Sequence, residues 1–205
     1  MNRSGLIRKI LVTAVYVLFF TSFQVTFPGL ITLSGLHPDL MFVLVVLWAY
    51  QFGFYDGIIF GALIGVIRDY FSAPSIRGID GTVVPAVGIG LFVMIFASAF
   101  GSSFFTERIE RNFLMAFLSV IVATLLYKIM GHAVIYVWNA MFSDIAYNLD
   151  VKQALLRSIL PQTALNLFAA VPLYLMIRFI GPYKGGVNPS LIDEKLKGDD
   201  SWLIM

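Results

Sequence analysis

The sequence predicts an all-α integral membrane protein with six transmembrane helices. Of its 205 residues, 59% are hydrophobic and 13% are charged, whereas about a quarter of the residues of a soluble domain are charged. The mean hydropathy is +0.87. A net charge of +2, scattered along the chain, excludes a strongly basic surface for nucleic acid. The absence of cysteine excludes disulfides, thiolate catalysis and cysteine-ligated metals.

The first predicted helix follows three basic residues and runs from Ile10 to Phe27. This length nearly crosses a hydrocarbon core of about 30 Å. A signal peptide has a shorter apolar region, typically about 7–15 residues, which ends at a small-residue cleavage site. Because the run here passes through Ser22-Phe23-Gln24 without such a site, we expect an uncleaved membrane anchor.

The second and third predicted helices are short and are separated by a tight turn. Pro38 begins the second helix, which runs to about Phe54, and Asp39 in its first turn is expected to cap it. The third helix runs from Gly57 to about Phe71. Short helices fit the core of a bundle, where longer helices shield their ends from lipid.

Three further helices complete the predicted bundle. They are expected at Val83–Phe105, Asn112–Tyr136 and Gln153–Ile180. Residues 72–82 contain one proline and two glycines and are predicted to form a loop. The last helix contains two prolines, which persist because neighbouring helices satisfy the freed carbonyl groups.

The predicted six-span domain covers residues 1–182 and precedes a polar tail at residues 183–205. Cytoplasmic loops of membrane proteins are enriched in Lys and Arg. With the N-terminus inside, nine of the 14 Lys and Arg residues lie on the cytoplasmic side and five on the outer side. An even number of spans then places both termini in the cytoplasm.

Gly57, Gly61 and Gly65 form a ladder with four-residue spacing on the third helix. This spacing keeps the glycines near one helix face, with a rotation of about 40° per step. Lipid gives helices no hydrophobic reason to associate, and small residues at this spacing let two backbones approach closely. We therefore predict that the ladder is a packing groove.

Charged residues within the spans are costly, so each is expected to have a partner. Asp69 lies about 18 Å along the third helix and Lys128 about 24 Å along the fifth, which places them at similar depths. We predict that Asp69 pairs with Lys128, or with Arg157 near the outer end of the sixth helix. The alternative is that Arg68, Lys128 and Arg157 extend to the outer interface.

Gln162 and Asn166 share one face of the sixth helix, with Asn166 in the middle of the membrane. An unpaired amide there would be expensive. An interhelical hydrogen bond and a ligand contact are the two explanations. The predicted structural or partner-positioning polar residues are Asp39, Asp69, Lys128, Arg157 and Asn166.

The sequence contains one pattern that resembles a catalytic motif. Gly101-Ser102-Ser103-Phe104 matches the short G-x-S-x pattern of intramembrane serine proteases, with His132 as a candidate base. The predicted topology places Ser103 and His132 at opposite ends of the membrane. There is no H-E-x-x-H motif, no cluster of His and carboxylate ligands and no phosphate loop. We expect no enzyme activity and no cofactor.

Two groups of residues occur in a recognisable order. The first comprises Pro38-Asp39, Trp48, the glycine ladder, Asp69 and Gly78. The second comprises Pro161, Asn166, Pro172 and the basic Arg178. In this order and spacing the chain resembles the rod shape-determining protein MreD family of bacteria. It differs from the family pattern in a long loop at residues 139–152 and in its longer tail.

The resemblance implies a fold similar to that of the substrate-binding subunits of energy-coupling-factor vitamin transporters. It also implies a non-enzymatic scaffold in the bacterial cytoplasmic (inner) membrane that supports cell elongation, rod shape and peptidoglycan synthesis. The implied direct partner is MreC. MreB, RodA and its penicillin-binding transpeptidase are the implied partners through the complex.

The competing function is that of a substrate-binding membrane subunit of a vitamin transporter. Such subunits carry an Ala-x-x-x-Ala pattern in their first helix for docking the coupling protein. Here Ala14 is followed four residues later by Leu18. A water-filled outer cavity lined by Trp48, Asn166 and His132 would favour this alternative.

Overall fold

The computed structural model describes most of the chain. The described residues are 3–26, 32–33, 35–72, 75–77, 83–85, 88–103, 112–142 and 151–183. Gly78 and residues 184–205 of the predicted tail lie outside them, as do residues 143–150 of the predicted long loop.

The described part of the chain is mainly helical, with a short β-hairpin and an isolated β-bridge between Leu33 and Leu36. The helices are α1 (Arg3–Thr26), α2 (Leu40–Phe52), α3 (Phe54–Ser72), α4 (Ile89–Ser103), α5 (Phe113–Phe142), α6 (Val151–Ala154) and α7 (Leu160–Phe179). A π-helical segment, Leu155–Ile159, joins α6 to α7, so that Val151–Phe179 is one continuous helical segment. The strands are β1 (Ser75–Arg77) and β2 (Val83–Pro85).

Three helical segments in the described part are long and apolar enough to cross a membrane. They are Arg3–Thr26, Phe113–Ala133 within α5, and Val151–Phe179. Leu40–Phe52 and Ile89–Ser102 are shorter apolar helices. The chain is therefore an α-helical membrane protein, as its composition predicts.

Helix α2 forms the centre of the bundle. Every residue from Met41 to Phe52 is buried, and α2 contacts α1, α3, α4, α5 and α7. A helix that is apolar around its whole circumference is expected to be surrounded by other elements. Trp48 of α2 stacks on Phe60 of α3 with 4.2 Å between ring centroids, and meets Tyr16 of α1 edge-on at 5.3 Å.

A single residue, Gly53, forms the turn between α2 and α3. Its φ is +92°, a conformation that glycine adopts without steric cost, and its N–H donates to the carbonyl oxygen of Ala49 at 2.9 Å. Such a short turn makes α2 and α3 antiparallel neighbours. The sequence predicts a longer turn that includes Asp56-Gly57, but both of these residues lie in the first turn of α3.

The predicted start of the fourth helix is wrong. Val83–Pro85 form strand β2, which pairs with Ser75–Arg77 in antiparallel register, with Ile76 opposite Val84. Helix α4 begins only at Ile89. Two consecutive β-branched residues favour a strand, and proline is tolerated at the margin of a two-stranded sheet. The predicted loop at residues 72–82 therefore contains one strand of a hairpin.

The two long C-terminal segments differ from the predictions in detail. Helix α5 continues to Phe142, beyond its predicted end. In the last segment, the N–H of Leu160 donates to the carbonyl oxygen of Leu155, five residues earlier. We attribute this wider turn to Pro161, which has no N–H and whose ring crowds the carbonyl group four residues before it.

Candidate functional site

The glycine ladder lies where α3 meets two other helices. A Cβ atom added at Gly57 would lie 2.5 Å from the Cβ of Ala49 on α2. A Cβ atom added at Gly61 would lie 2.7 Å from the carbonyl oxygen of Met94 on α4. Four-residue steps rotate around a helix by about 40°, which moves the ladder from α2 toward α4.

Gly65 and Gly101 extend these close contacts. A Cβ atom at Gly65 would lie 2.6 Å from the Cα of Leu91 on α4, and one at Gly101 of α4 would lie 2.7 Å from the carbonyl oxygen of Val46 on α2. Helices α2, α3 and α4 thus pack backbone to backbone, and we call them the helix trio. Sequence reasoning missed this role of Gly101, although Ala97 four residues earlier gives it the same small-residue spacing.

Asp69, near the end of α3, caps the beginning of α4. Its carboxylate oxygens accept hydrogen bonds from the backbone N–H groups of Gly88 at 2.9 Å, Gly90 at 2.7 Å and Leu91 at 3.0 Å. The residue is 6% exposed. A carboxylate at a helix N-terminus is favoured both by the unpaired N–H groups and by the helix dipole.

The structure corrects the predicted ion pair between Asp69 and Lys128 or Arg157. Within the described residues neither cation lies at ion-pair distance from Asp69, because three backbone N–H groups already surround its carboxylate. The prediction compared depths along two helices. Depth alone does not determine toward which neighbour a side chain points.

Asp39 links the beginning of α2 to α3. Its Oδ1 accepts a hydrogen bond from the N–H of Phe42 at 3.1 Å, which makes Asp39 the N-cap of α2. Its Oδ2 forms an ion pair with Nη1 of Arg68 at 2.8 Å. The phenol of Tyr127 on α5 lies next to Arg68. Arg68 therefore has a carboxylate partner that was not predicted, and that its side chain also extends to the interface stays a prediction.

Asn166 of α7 completes this arrangement and is 1% exposed. Its Oδ1 accepts hydrogen bonds from the N–H of Asp39 at 2.9 Å and from Nε2 of Gln162 at 3.1 Å. Its Nδ2 donates to Oγ1 of Thr124 on α5 at 3.2 Å. Interhelical hydrogen bonds thus account for the buried amide. We use the term polar cluster for Asp39, Arg68, Thr124, Tyr127, Gln162 and Asn166.

Lys128 and Arg157 lie at the polar-cluster end of the bundle. The Nζ of Lys128 lies 5.9 Å from the centroid of the Tyr127 ring, and the residue is half-buried. Arg157 is exposed on the π-helical segment. That these two side chains extend to the interface stays a prediction.

The opposite end of the bundle is held by Lys9, Asp56 and Tyr183, which we call the clasp. Lys9 of α1 forms an ion pair with Asp56 of α3, and the hydroxyl of Tyr183 donates to Oδ2 of Asp56. Nη2 of Arg8 donates to the carbonyl oxygen of Gly181 at 3.1 Å. Burial raises the pKa of Tyr183 above its usual value, so the phenol keeps the proton that it donates. The clasp ties α1 and α3 to the segment after α7.

The serine protease pattern is not assembled into a site. Ser103 is the last residue of α4, which runs from the Asp69 cap toward the clasp. His132 lies on α5, one turn beyond Lys128 at the polar-cluster end. Among the residues that the structure describes, no group of three His, Cys, Asp or Glu side chains could hold a metal ion.

The three residues named for an outer cavity do not line a common opening. Trp48 is 2% exposed and packs among aromatic rings, and Asn166 is engaged in the polar cluster. His132 is half-buried, and its Nδ1 has no hydrogen-bond partner in the described part of the chain.

Comparison of the chain with family models, with curated proteins and with solved structures gives no match. Its class follows from the fold and the contacts. It is an α-helical membrane protein in which the polar cluster, the clasp and the glycine ladder join helices to one another.

Proposed function

We propose that the protein is a non-enzymatic membrane scaffold of the bacterial cell-elongation machinery that binds MreC and helps to regulate cell shape. The proposal is supported by the structural roles of the residues that carry the MreD resemblance. Asp39 caps α2, the glycine ladder packs α3 against its neighbours, and Asp69 caps α4. These residues serve packing, which is what a scaffold requires.

The proposed topology has six spans in the bacterial cytoplasmic membrane, formed by α1, α2, α3, α4, α5 and the segment Val151–Phe179. The clasp joins the beginnings of α1 and α3 to the end of α7, and the polar cluster lies at the other ends of these helices. Such alternation of direction supports six antiparallel spans. A fold similar to that of the vitamin-transporter subunits is what the MreD resemblance implies. Arg3, Arg8, Lys9 and Arg178 belong to the clasp end, which supports a cytoplasmic location for both termini.

The proposed mechanism is the presentation of a fixed shape to a partner. Backbone contacts make the helix trio rigid, because a close-packed interior does not deform continuously. The Asp69 cap fixes the beginning of α4, and the Asp39–Arg68 ion pair ties the end of α3 to the beginning of α2. The β1–β2 hairpin connects these ends of α3 and α4. MreC would bind on this outer side, and MreB, RodA and its penicillin-binding transpeptidase would join through the complex.

The test is affinity purification of the tagged protein from native bacterial membranes, with mass spectrometry of the proteins that stay bound. The expected result is a single-span periplasmic coiled-coil protein, with or without the wall polymerase. Recovery of a coupling protein with two ATPases would overturn the proposal in favour of vitamin uptake.

Two matched glycine variants test whether partner binding depends on the packing of α3 against α4. Gly61→Leu places a side chain against Met94 of α4 and is expected to abolish co-purification of the partner. Gly131→Leu on α5 is the control, because an added Cβ there meets no heavy atom within 4 Å. Binding that persists in Gly61→Leu at normal protein levels would contradict the link between packing and partner recognition.

The vitamin-transporter alternative has less support from the contacts. Trp48 and Asn166 are 2% and 1% exposed, so neither is available to a substrate in this conformation. Leu18, which stands where the second alanine of the docking pattern would be, is 66% exposed on α1. A large side chain at this position separates helices that the alanine pattern would bring together.

A further inference from the structure

The polar cluster and the neighbouring Lys128 together contain two cations and one carboxylate. Asp39 has one carboxylate oxygen on the N–H of Phe42 and the other on Arg68. Lys128 is adjacent to this pair, since its Nζ lies 5.9 Å from the ring centroid of Tyr127, which also contacts Arg68. Within the described residues no carboxylate lies within 4.0 Å of the Lys128 ammonium. Two cations therefore share one carboxylate that is already fully engaged.

The other acid at this end of the described bundle cannot supply the missing charge. Asp69 is 6% exposed and accepts three backbone hydrogen bonds. A cation in a membrane span is costly unless it reaches a partner or the interface. Lys128 lies within the candidate span Phe113–Ala133, about 24 Å from Asn112, which is the depth at which a lysine side chain reaches the headgroup region.

We propose that Lys128, with the exposed edge of Arg68, binds the phosphate of an anionic phospholipid in the membrane leaflet at the polar-cluster end. The Arg68 side chain is 23% exposed and Lys128 is half-buried, so both side chains are partly exposed at the surface. Phosphate oxygens are the acceptors that such cations bind with charge-assisted hydrogen bonds. Next to Lys128 on α5, Ile129 and Met130 are 52% and 38% exposed and offer an apolar surface to the acyl chains. This site is independent of the proposed function.

The test compares lipid retention by native mass spectrometry after reconstitution with phosphatidylglycerol or with phosphatidylethanolamine. We expect the wild-type protein to retain phosphatidylglycerol in preference to phosphatidylethanolamine. Lys128→Gln is expected to bind phosphatidylglycerol about tenfold more weakly, as for the loss of one charge-assisted contact. Arg157→Gln is the matched control, because it removes an exposed cation from the same end of the bundle without touching the polar cluster. Lys128→Arg is expected to restore binding.

Thermal unfolding in detergent separates the lipid from other sources of negative charge. Without lipid, Lys128→Gln is expected to be at least as stable as the wild-type protein, because it removes an uncompensated charge. Added phosphatidylglycerol is expected to stabilise the wild-type protein and Arg157→Gln, but not Lys128→Gln. Glycerol phosphate serves as the soluble phosphate control. If it stabilises the protein as much as phosphatidylglycerol does, the ligand is a free phosphate compound and not a lipid.

Three further outcomes overturn the proposal. The first is equal phosphatidylglycerol retention by the wild-type protein and Lys128→Gln. The second is an equal loss in Arg157→Gln, which would indicate unspecific attraction to the bilayer. The third is a lower stability of Lys128→Gln without lipid, which would assign a protein counter-ion to Lys128.

Discussion

The substitution Gly61→Ala tests the packing of the helix trio with one methyl group. In the native structure Ser98 of α4 donates from Oγ to the carbonyl oxygen of Gly57 at 2.8 Å, which places the serine directly against α3. The added Cβ would clash with Oγ of Ser98 and would lie 2.7 Å from the carbonyl oxygen of Met94. The serine side chain can rotate, but the backbone carbonyl of α4 can only move with its helix.

The expected loss of stability is a balance of three terms. Overpacking of a close contact costs about 1–3 kcal/mol. Rotation of Ser98 away from Gly57 loses a buried hydrogen bond, worth about 1 kcal/mol. Alanine is a better helix former than glycine and returns about 1 kcal/mol. The net destabilisation is therefore about 1–3 kcal/mol, which for a chain of this size lowers the Tm by roughly 3–10 °C.

Thermal unfolding of the purified protein in detergent measures this shift. Trp48 provides a fluorescence signal, because it stacks on Phe60 of α3 and reports on separation of α2 from α3. Gly131→Ala on α5 is the matched control, since an added Cβ there meets nothing within 4 Å. Its Tm is expected to stay unchanged or to rise by the helix-propensity term alone, up to about 1 kcal/mol.

Equal Tm values for Gly61→Ala and Gly131→Ala, or a higher Tm for Gly61→Ala, would refute the close packing of Gly61 against α4. A second substitution identifies the source of any loss. Ser98→Ala in the Gly61→Ala background removes the hydroxyl from the clash and is expected to recover part of the stability. No recovery at all would assign the loss to the Met94 carbonyl group.

Three further substitutions test the polar contacts by the same unfolding measurement or by proteolysis. Asp69→Ala is expected to lower the free energy of unfolding by roughly 2–4 kcal/mol, because buried N–H groups of α4 lose their acceptor. Exchanging the charges of Asp69 and Lys128 should recover none of this stability. Recovery would support an ion pair between the two residues. Arg68→Met should lower the free energy of unfolding by roughly 2–4 kcal/mol, because it leaves the Asp39 carboxylate unpaired in a partly exposed site. Adding Asp39→Asn should recover part of that stability. Additive losses in the double variant would contradict the pairing. Asp56→Asn weakens the clasp and should accelerate proteolytic cleavage beyond Tyr183, and unchanged cleavage would show that the clasp does not hold this segment.

Local patterns in the sequence were sufficient to predict helices α2 and α3 and the close contacts of the glycine ladder. Pro38-Asp39 before an apolar run predicts the start of α2, and Asp39 is its N-cap, one residue before Leu40. The four-residue spacing from Gly57 predicts close helix contacts, which the structure contains. Both features depend on residues a few positions apart, and helical geometry fixes their relation.

Contacts between distant segments were not predictable in the same way. Lys9 and Asp56 are 47 positions apart, and Asp56 and Tyr183 are 127 positions apart. The sequence offered one signal, since Lys9 and Asp56 both lie at the margins of apolar runs and need partners. It could not select the partner, because several cations and acids stand at similar depth.

The hairpin shows a different limit. Val83, Val84 and Pro85 fit both the first turn of a helix and a short strand, since proline is accepted in either place. The choice was decided by a partner strand, Ser75–Arg77, which only the fold brings alongside. A pattern of a few residues therefore predicts an element only where no distant pairing competes for it.

The short length of α2 explains why buried amides gather at its beginning. Its 13 residues span about 20 Å, less than a hydrocarbon core of about 30 Å, so that the first N–H groups of the helix have limited access to water. Neighbouring side chains take the place of water. Oδ1 of Asn166 accepts from the N–H of Asp39, Oε1 of Gln24 accepts from the N–H of Leu40 at 2.9 Å, and Asp39 itself accepts from the N–H of Phe42. Because α1 and α7 each supply an amide, the polar side chains of these outer helices are part of the backbone hydrogen bonding of the central one. The amide of Asn166 is thereby accounted for without a substrate, which favours the scaffold over the vitamin-binding subunit.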